Sequence, residues 1–481
     1  MFVGIVSKPY SMKKEILFKS LISIGVFLLT FVVFTLLQNQ GIYNATLGKL
    51  SNNYGRIGGD KKNQIIETKI PYEKITQSNI YRWDAKLYKC VSDSMYVNSD
   101  FYYKERLAYY PLFPLLWKIS MIDSSLIFII NYLLFTISLI LLLHLLKNDN
   151  RNNQFIFMVA LILPSTIIYY LPYAESLFLF TMVISMIGLF KRKYWLFFLG
   201  AFAFSMTRPA AQIFLFAIMA ADIRYFLIHR KINYFLKEIV LKILPFILGI
   251  LLVIYIQYCY SGSWTAYFDA LIFWPAESGF FNTILDWSVE GFGMTVFAIF
   301  FLAIPSLVYA LIWGMKIFKK NEQYTIQPPS LFSGNSEWIK EYMFNTSVLF
   351  TAGNLLYTFL TSGNVLNGFY RYTMAVPFFY IILFLFHEKV KNVSFKYKMF
   401  AFGLCLLGMI LFLANVIYGG DRFRFPYVGL YLSVFLLLFI LAEPYLSYRN
   451  KWLIILLLIL PCILWLTYLF NMYLCDGWLF T

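Results

Sequence analysis

Runs of about twenty apolar residues, separated by short polar stretches, recur along the whole chain. A helix of ~20 residues covers the hydrocarbon thickness of a bilayer. The pattern predicts spans at roughly 16–38, 125–146, 154–171, 174–190, 194–206, 210–227, 239–260, 292–315, 343–361, 372–388, 399–418, 426–442 and 452–470. Several of these are shorter than a full upright crossing. Such segments are expected as broken or re-entrant helices that line a protein cavity. A polar, aromatic loop over 39–124 follows the first span and is long enough to carry short helices of its own. The stretch 316–342, with Pro328-Pro329 and several Ser, Gly and Asn residues, reads as a connector. The expected fold class is an all-α polytopic membrane protein: one transmembrane domain over 1–481, a bundle of about 11–13 helices with a long first loop.

Composition agrees. Hydrophobic residues make up 60% of the chain and charged residues 13%, against about half and a quarter in a soluble domain. The net charge of +16 raises nucleic acid as a partner, but its distribution argues against it. Lys8, Lys13, Lys14 and Lys19 precede or open the first span. Lys147 and Arg151, Lys191 to Lys193, Arg230 and Lys231, and Lys316, Lys319 and Lys320 mark alternate turns. Lys389, Lys391, Lys396 and Lys398, then Arg449 and Lys451, continue the series. All fall on one side if the N-terminus is cytoplasmic, which is what orients a protein in the bilayer. The first loop is then extracytoplasmic, and 316–342 is cytoplasmic. The first apolar run is too long for a cleavable signal peptide and is expected to be a retained helix.

The five cysteines are scattered without a CxxC pair, and the three histidines lie near span ends. No metal site and no disulfide framework is expected. No Gly-rich phosphate loop is present either, since Gly58-Gly59 and Gly419-Gly420 are isolated pairs.

Charges that break the pattern are the candidates for chemistry. Arg208, Arg371, Arg422 and Arg424 occupy extracytoplasmic turns or adjoining span ends. A lone arginine there can snorkel to lipid head groups, or it can mark a ligand path at a cavity mouth. Arg208 and Arg371 lie between closely spaced spans, flanked by Pro or aromatics, which favours the cavity. Arginine suits phosphate because it stays charged and offers a planar fork of donors. Glu175 begins an apolar helix, where an acid is favourable in any case; alternatively it positions one of the arginines. Asp84 sits in "RWDAKLYKC" of the first loop, four residues before Tyr88 and on the same helical face. It reads either as the N-cap of an interfacial helix beside Trp83 or as a base in an extracytoplasmic site. An acid and arginines on that face suit a lipid-linked phosphosugar, whose cleavage needs a base and a cation against the departing phosphate.

"RWDAKLYKCVSDSMY" resembles the W-D-A-x-x-Y-x-x-(I/V)-(A/S)-x-x-G-Y signature of the GPI mannosyltransferase II (PIG-V type) family and its bacterial relatives. Trp83, Asp84, Ala85, Tyr88, Val91, Ser92 and Tyr96 match; Met95 stands where glycine is usual. "YYPLFPLL" from Tyr109, "YAESLF" around Glu175, "TRPAA" around Arg208 and "YRYTMAVP" with Arg371 and Tyr372 resemble the family's later elements, in order. Ala211 replaces a second glycine. The resemblance covers the chain from the first span to about residue 380. It implies a multi-spanning glycosyltransferase of the C-type (GT-C) superfamily. The implied donor is polyprenyl or dolichyl phosphate mannose, with the first-loop acid, Asp84, as general base. Arg208 and Arg371 would hold the phosphate, with Trp83, Tyr88, Glu175 and Tyr372 in support.

The expected activity is thus transfer of a mannosyl or other hexosyl residue, with inversion, to a glycolipid or glycan acceptor. A lipid-sugar flippase and a protein O-mannosyl or aminoarabinose transferase remain the alternatives. No nucleic acid partner and no certain cofactor beyond the lipid-phosphate sugar is expected. The expected location is a bacterial plasma membrane, with the endoplasmic reticulum membrane as the alternative.

Overall fold

A computed structural model describes residues 9–47, 72–97, 103–146, 153–229, 232–271, 292–315, 335–361, 368–416 and 427–475. Among the described residues every regular element is a helix. Seven helices, from Lys14–Leu37 to Tyr448–Leu474, are long and apolar enough to cross a membrane, and an eighth joins them if one bent pair counts as a single span. The chain is therefore an all-α, multi-pass integral membrane protein, the form that satisfies every backbone group in lipid.

The remaining sequence-expected spans are helices that are shorter or more polar than a simple crossing. Asp222 and Arg224 interrupt Ala210–His229, and Asn345 and Asn354 interrupt Ser336–Thr361. The stretch 154–171 is helix Asn153–Ile162 followed by the 3-10 turn Pro164–Tyr170, bent by 70°. Pro164 causes the break: it lacks an N–H and forces Leu163 to an extended ψ of 136°. The expected span 372–388 is likewise two pieces, Phe369–Thr373 and Pro377–Val390, divided where Val376 is extended ahead of Pro377. The connector gives way to helix at Ser336; its residues 316–334 lie outside the described residues, as do Arg422 and Arg424.

Helices Glu175–Phe190 and Tyr194–Ser205 form a tight hairpin across the basic turn Lys191–Lys193, where Arg192 adopts φ 55°. Its closeness depends on Gly188 and Gly200. A Cβ on Gly188 would collide with the backbone of Phe197, and one on Gly200 with that of Ser185. Ser185 also donates across the pair to the Phe197 carbonyl at 3.1 Å. The hairpin brings the start of one helix, Glu175, beside the end of the other, just before Arg208.

The first loop is docked on this bundle. Helix Asp84–Ser94 buries Ala85, Leu87, Tyr88, Val91 and Ser92 and turns Lys86 and Asp93 outward, the i, i+3, i+4 pattern of a half-buried helix. The strand of chain before it is fastened to the far end of helix Tyr448–Leu474. Tyr473 donates its hydroxyl to Ile80 O at 2.7 Å and accepts from Arg82 N at 3.3 Å, while Asn471 Oδ1 accepts from Glu73 N at 2.8 Å.

Candidate functional site

Each of the four candidate charges sits at a helix end opposite the basic hairpin turn, and each is set there by local chemistry. Asp84 is the first residue of its helix. The N-cap position is Trp83, at φ 53° and ψ −129°, and no side chain caps the helix. The N-cap reading of Asp84 is thus replaced, because its carboxylate turns away from its own backbone. Glu175 opens its helix after the turn Leu171–Tyr173, whose Leu171 and Tyr173 carbonyls both accept from buried Asn131 Nδ2, the latter at 3.0 Å. Arg208 follows the end of Tyr194–Ser205, and after Pro209 the next helix starts at Ala210. Arg371 lies in the short helix Phe369–Thr373, entered through Gly368 at φ 67°, a left-handed angle that suits glycine. That helix is held from the side by Asn354 Nδ2 donating to Tyr372 O at 2.7 Å.

These residues meet. Arg371 Nη1 donates to Asp84 Oδ2 at 2.6 Å, and Arg371 Nε donates to Glu175 Oε1. Arg208 Nη1 lies 3.1 Å from the same Glu175 oxygen. The order Asp84–Arg371–Glu175–Arg208 alternates in sign and sums to zero charge. Only its Asp84 end is open: the side chain of Asp84 is 20% exposed, those of Arg371 and Arg208 6%, and that of Glu175 0%. Buried charges are tolerated only when paired in this way.

Aromatic rings line the string. Tyr173 lies under the Arg371 guanidinium at 4.6 Å, and Phe178 and Tyr372 flank that of Arg208 at 5.8 and 5.7 Å. Tyr88 does not touch a charge through its ring. It packs edge-on against Tyr109 and Phe113 at 4.9 and 5.2 Å and so supports the site from below. Trp83 contributes its unusual backbone, which aims the next residue. Asp93 pairs with Lys89 on the exposed face of the loop helix and has no part in the cluster.

One member escaped the sequence reading. Tyr109 donates its hydroxyl to Asp84 Oδ1 at 2.7 Å, so each Asp84 oxygen has its own donor. The only signal was its place in Tyr109-Tyr110-Pro111. Burial and then the Asp84 charge push the Tyr109 phenol well above its ordinary pKa, so it stays a donor. The Glu175 and Asp84 carboxylates offset the cost of burying the Arg371 charge. The same segment is sewn to the Arg208 turn: Leu112 N donates to Met206 O at 3.3 Å and Gln212 Nε2 to Tyr110 OH at 2.9 Å.

Among the described residues no group of three or more His, Cys, Asp or Glu side chains is arranged to hold a metal ion. The arrangement offers a partly open carboxylate for accepting a proton, backed by two guanidinium groups for holding an anion. No protein-family model, curated protein or solved structure matches the chain.

Proposed function

We propose that the chain is a membrane glycosyltransferase that moves a mannosyl or related hexosyl residue from a polyprenyl-type phosphate sugar to a hydroxyl of a glycolipid or glycan. One observation carries this reading: a partly exposed carboxylate, Asp84, joined directly to a buried two-arginine cluster at the helix ends of a membrane protein. Lipid phosphate is the anion naturally presented there, and a carboxylate beside it is what a transfer reaction needs and a passive carrier does not. In the proposed step Asp84 takes the proton of the acceptor hydroxyl, whose oxygen attacks the anomeric carbon. The bond from that carbon to the phosphate oxygen breaks, and its electron pair leaves on the phosphate. Arg208 and Arg371 oppose the charge that develops there. A single displacement inverts the anomeric centre and needs no second carboxylate as nucleophile. On the charge pattern of the turns the site faces the extracytoplasmic side, of a bacterial plasma membrane in the first instance and of the endoplasmic reticulum as the alternative.

The test is turnover of polyprenyl phosphate mannose by the purified protein in nanodiscs with a glycolipid acceptor. The wild type should release polyprenyl phosphate. Asp84→Asn should lower turnover by roughly 100- to 10,000-fold with unchanged expression. Near-wild-type turnover by Asp84→Asn contradicts the assignment of the base. Movement of intact donor between leaflets without release contradicts transfer altogether.

A further inference from the structure

The two arginines are not equivalent, although they share one carboxylate. Arg371 is committed: its Nε is bonded to Glu175 and its Nη1 to Asp84 Oδ2. Arg208 is not. Its Nη1 is 3.1 Å from Glu175 Oε1, yet it lies outside hydrogen-bonding alignment, and that buried nitrogen finds no partner among the described residues. The second Glu175 oxygen, Oε2, is also buried and unbonded. A buried, misaligned donor on a charged group is costly unless a ligand completes it.

We propose that the pair divides the work: Arg208 supplies the direct hydrogen bonds to the phosphate of the lipid, and Arg371, with Tyr109, is a positioning residue that fixes the Asp84 carboxylate. This rests on the glycosyl-transfer reading and assigns a separate role to each arginine within it. The geometry suits the division. Tyr109 and Arg371 each occupy one Asp84 oxygen, so the carboxylate is held in a single orientation, and each oxygen keeps lone-pair capacity for an incoming hydroxyl. Behind Arg371, Glu175 anchors the guanidinium from the opposite side. Arg208, flanked by Phe178 and Tyr372, keeps a buried Nη1 with no hydrogen bond among the described residues, so it has donor capacity that Arg371 lacks. Bringing Arg371 onto the phosphate would instead break two charge-assisted bonds, one to Glu175 and one to Asp84.

The experiment measures binding of polyprenyl phosphate and steady-state turnover for the full chain in nanodiscs. Arg208→Gln should lose at least tenfold in affinity for polyprenyl phosphate. Arg371→Gln should bind it within about threefold of wild type and lose kcat. Arg371→Lys, which restores a charge without the fork, should recover part of that kcat even if Arg371→Gln folds poorly. Equal loss of affinity in the Arg208 and Arg371 variants, or a kcat that neither falls in Arg371→Gln nor recovers in Arg371→Lys, overturns the division. Failure of the wild type to bind polyprenyl phosphate overturns the glycosyl-transfer reading as well, so the two failures are told apart.

Discussion

Met95 ends the loop helix at φ 54° and ψ −133°, its N–H bonded to Val91 O, in a region where side chains with a Cβ are strained. It is also the position where the signature that this segment resembles carries glycine. Met95→Gly should therefore keep fold and activity despite the lost side chain. Met95→Ile, which keeps the volume but adds a β-branch at positive φ, should lower stability by about 1–2 kcal/mol. Thermal unfolding of the two variants gives the order, and an Ile variant more stable than the Gly variant refutes it. Glu175 is the other residue on which much depends, since it is fully buried between two guanidinium groups. Glu175→Gln should cost about 3–5 kcal/mol by leaving those charges unbalanced, read as a lower thermal midpoint. Glu175, Arg208 and Arg371 were legible in the sequence because each is a charge beside apolar runs, and Asp84 because its segment resembles a known signature. Tyr109 was legible only as the head of "YYPLFPLL"; its role was not, because it is one of 37 tyrosines and only contact shows that it bonds Asp84.

At the scale of elements, the site depends on how closely one hairpin packs. Gly188 and Gly200 let helices Glu175–Phe190 and Tyr194–Ser205 approach backbone to backbone, which brings Glu175 and Arg208 to the same end. Gly200→Val should wedge the pair apart and lower both thermal midpoint and turnover. Gly403→Ala, whose added Cβ meets open space, should change neither. Equal behaviour of the two variants would remove the hairpin from the account. The breaks at Pro164 and Pro377 could be foreseen in kind, since proline cannot continue a helix and constrains the residue before it. Their consequence could not. Hydropathy measures how apolar a stretch is, and it does not distinguish a helix that crosses lipid from a short one that lines the protein interior.

Across the whole molecule, the all-α membrane class followed from apolar run length alone, because the bilayer leaves the backbone few other choices. The assembly of the site did not follow, since Arg371 and Asp84 are 287 residues apart and no local pattern joins them. The side of the membrane is open to direct measurement. In a cysteine-free background, Lys86→Cys should react with an impermeant maleimide added to intact cells, and Arg192→Cys only after permeabilisation; the reverse result puts the site in the cytoplasm. The fastening of the Asp84 segment to helix Tyr448–Leu474 also sets a timetable. Arg82 must wait for Tyr473, 391 residues later, which at about 5–20 residues per second of synthesis is roughly 20–80 s. Until then the bundle can insert helix by helix, with the first loop held only by its contacts to earlier helices, such as Leu112 to Met206 and Tyr110 to Gln212. A ribosome that stalls short of Tyr473 leaves the Asp84 segment without its last fastening.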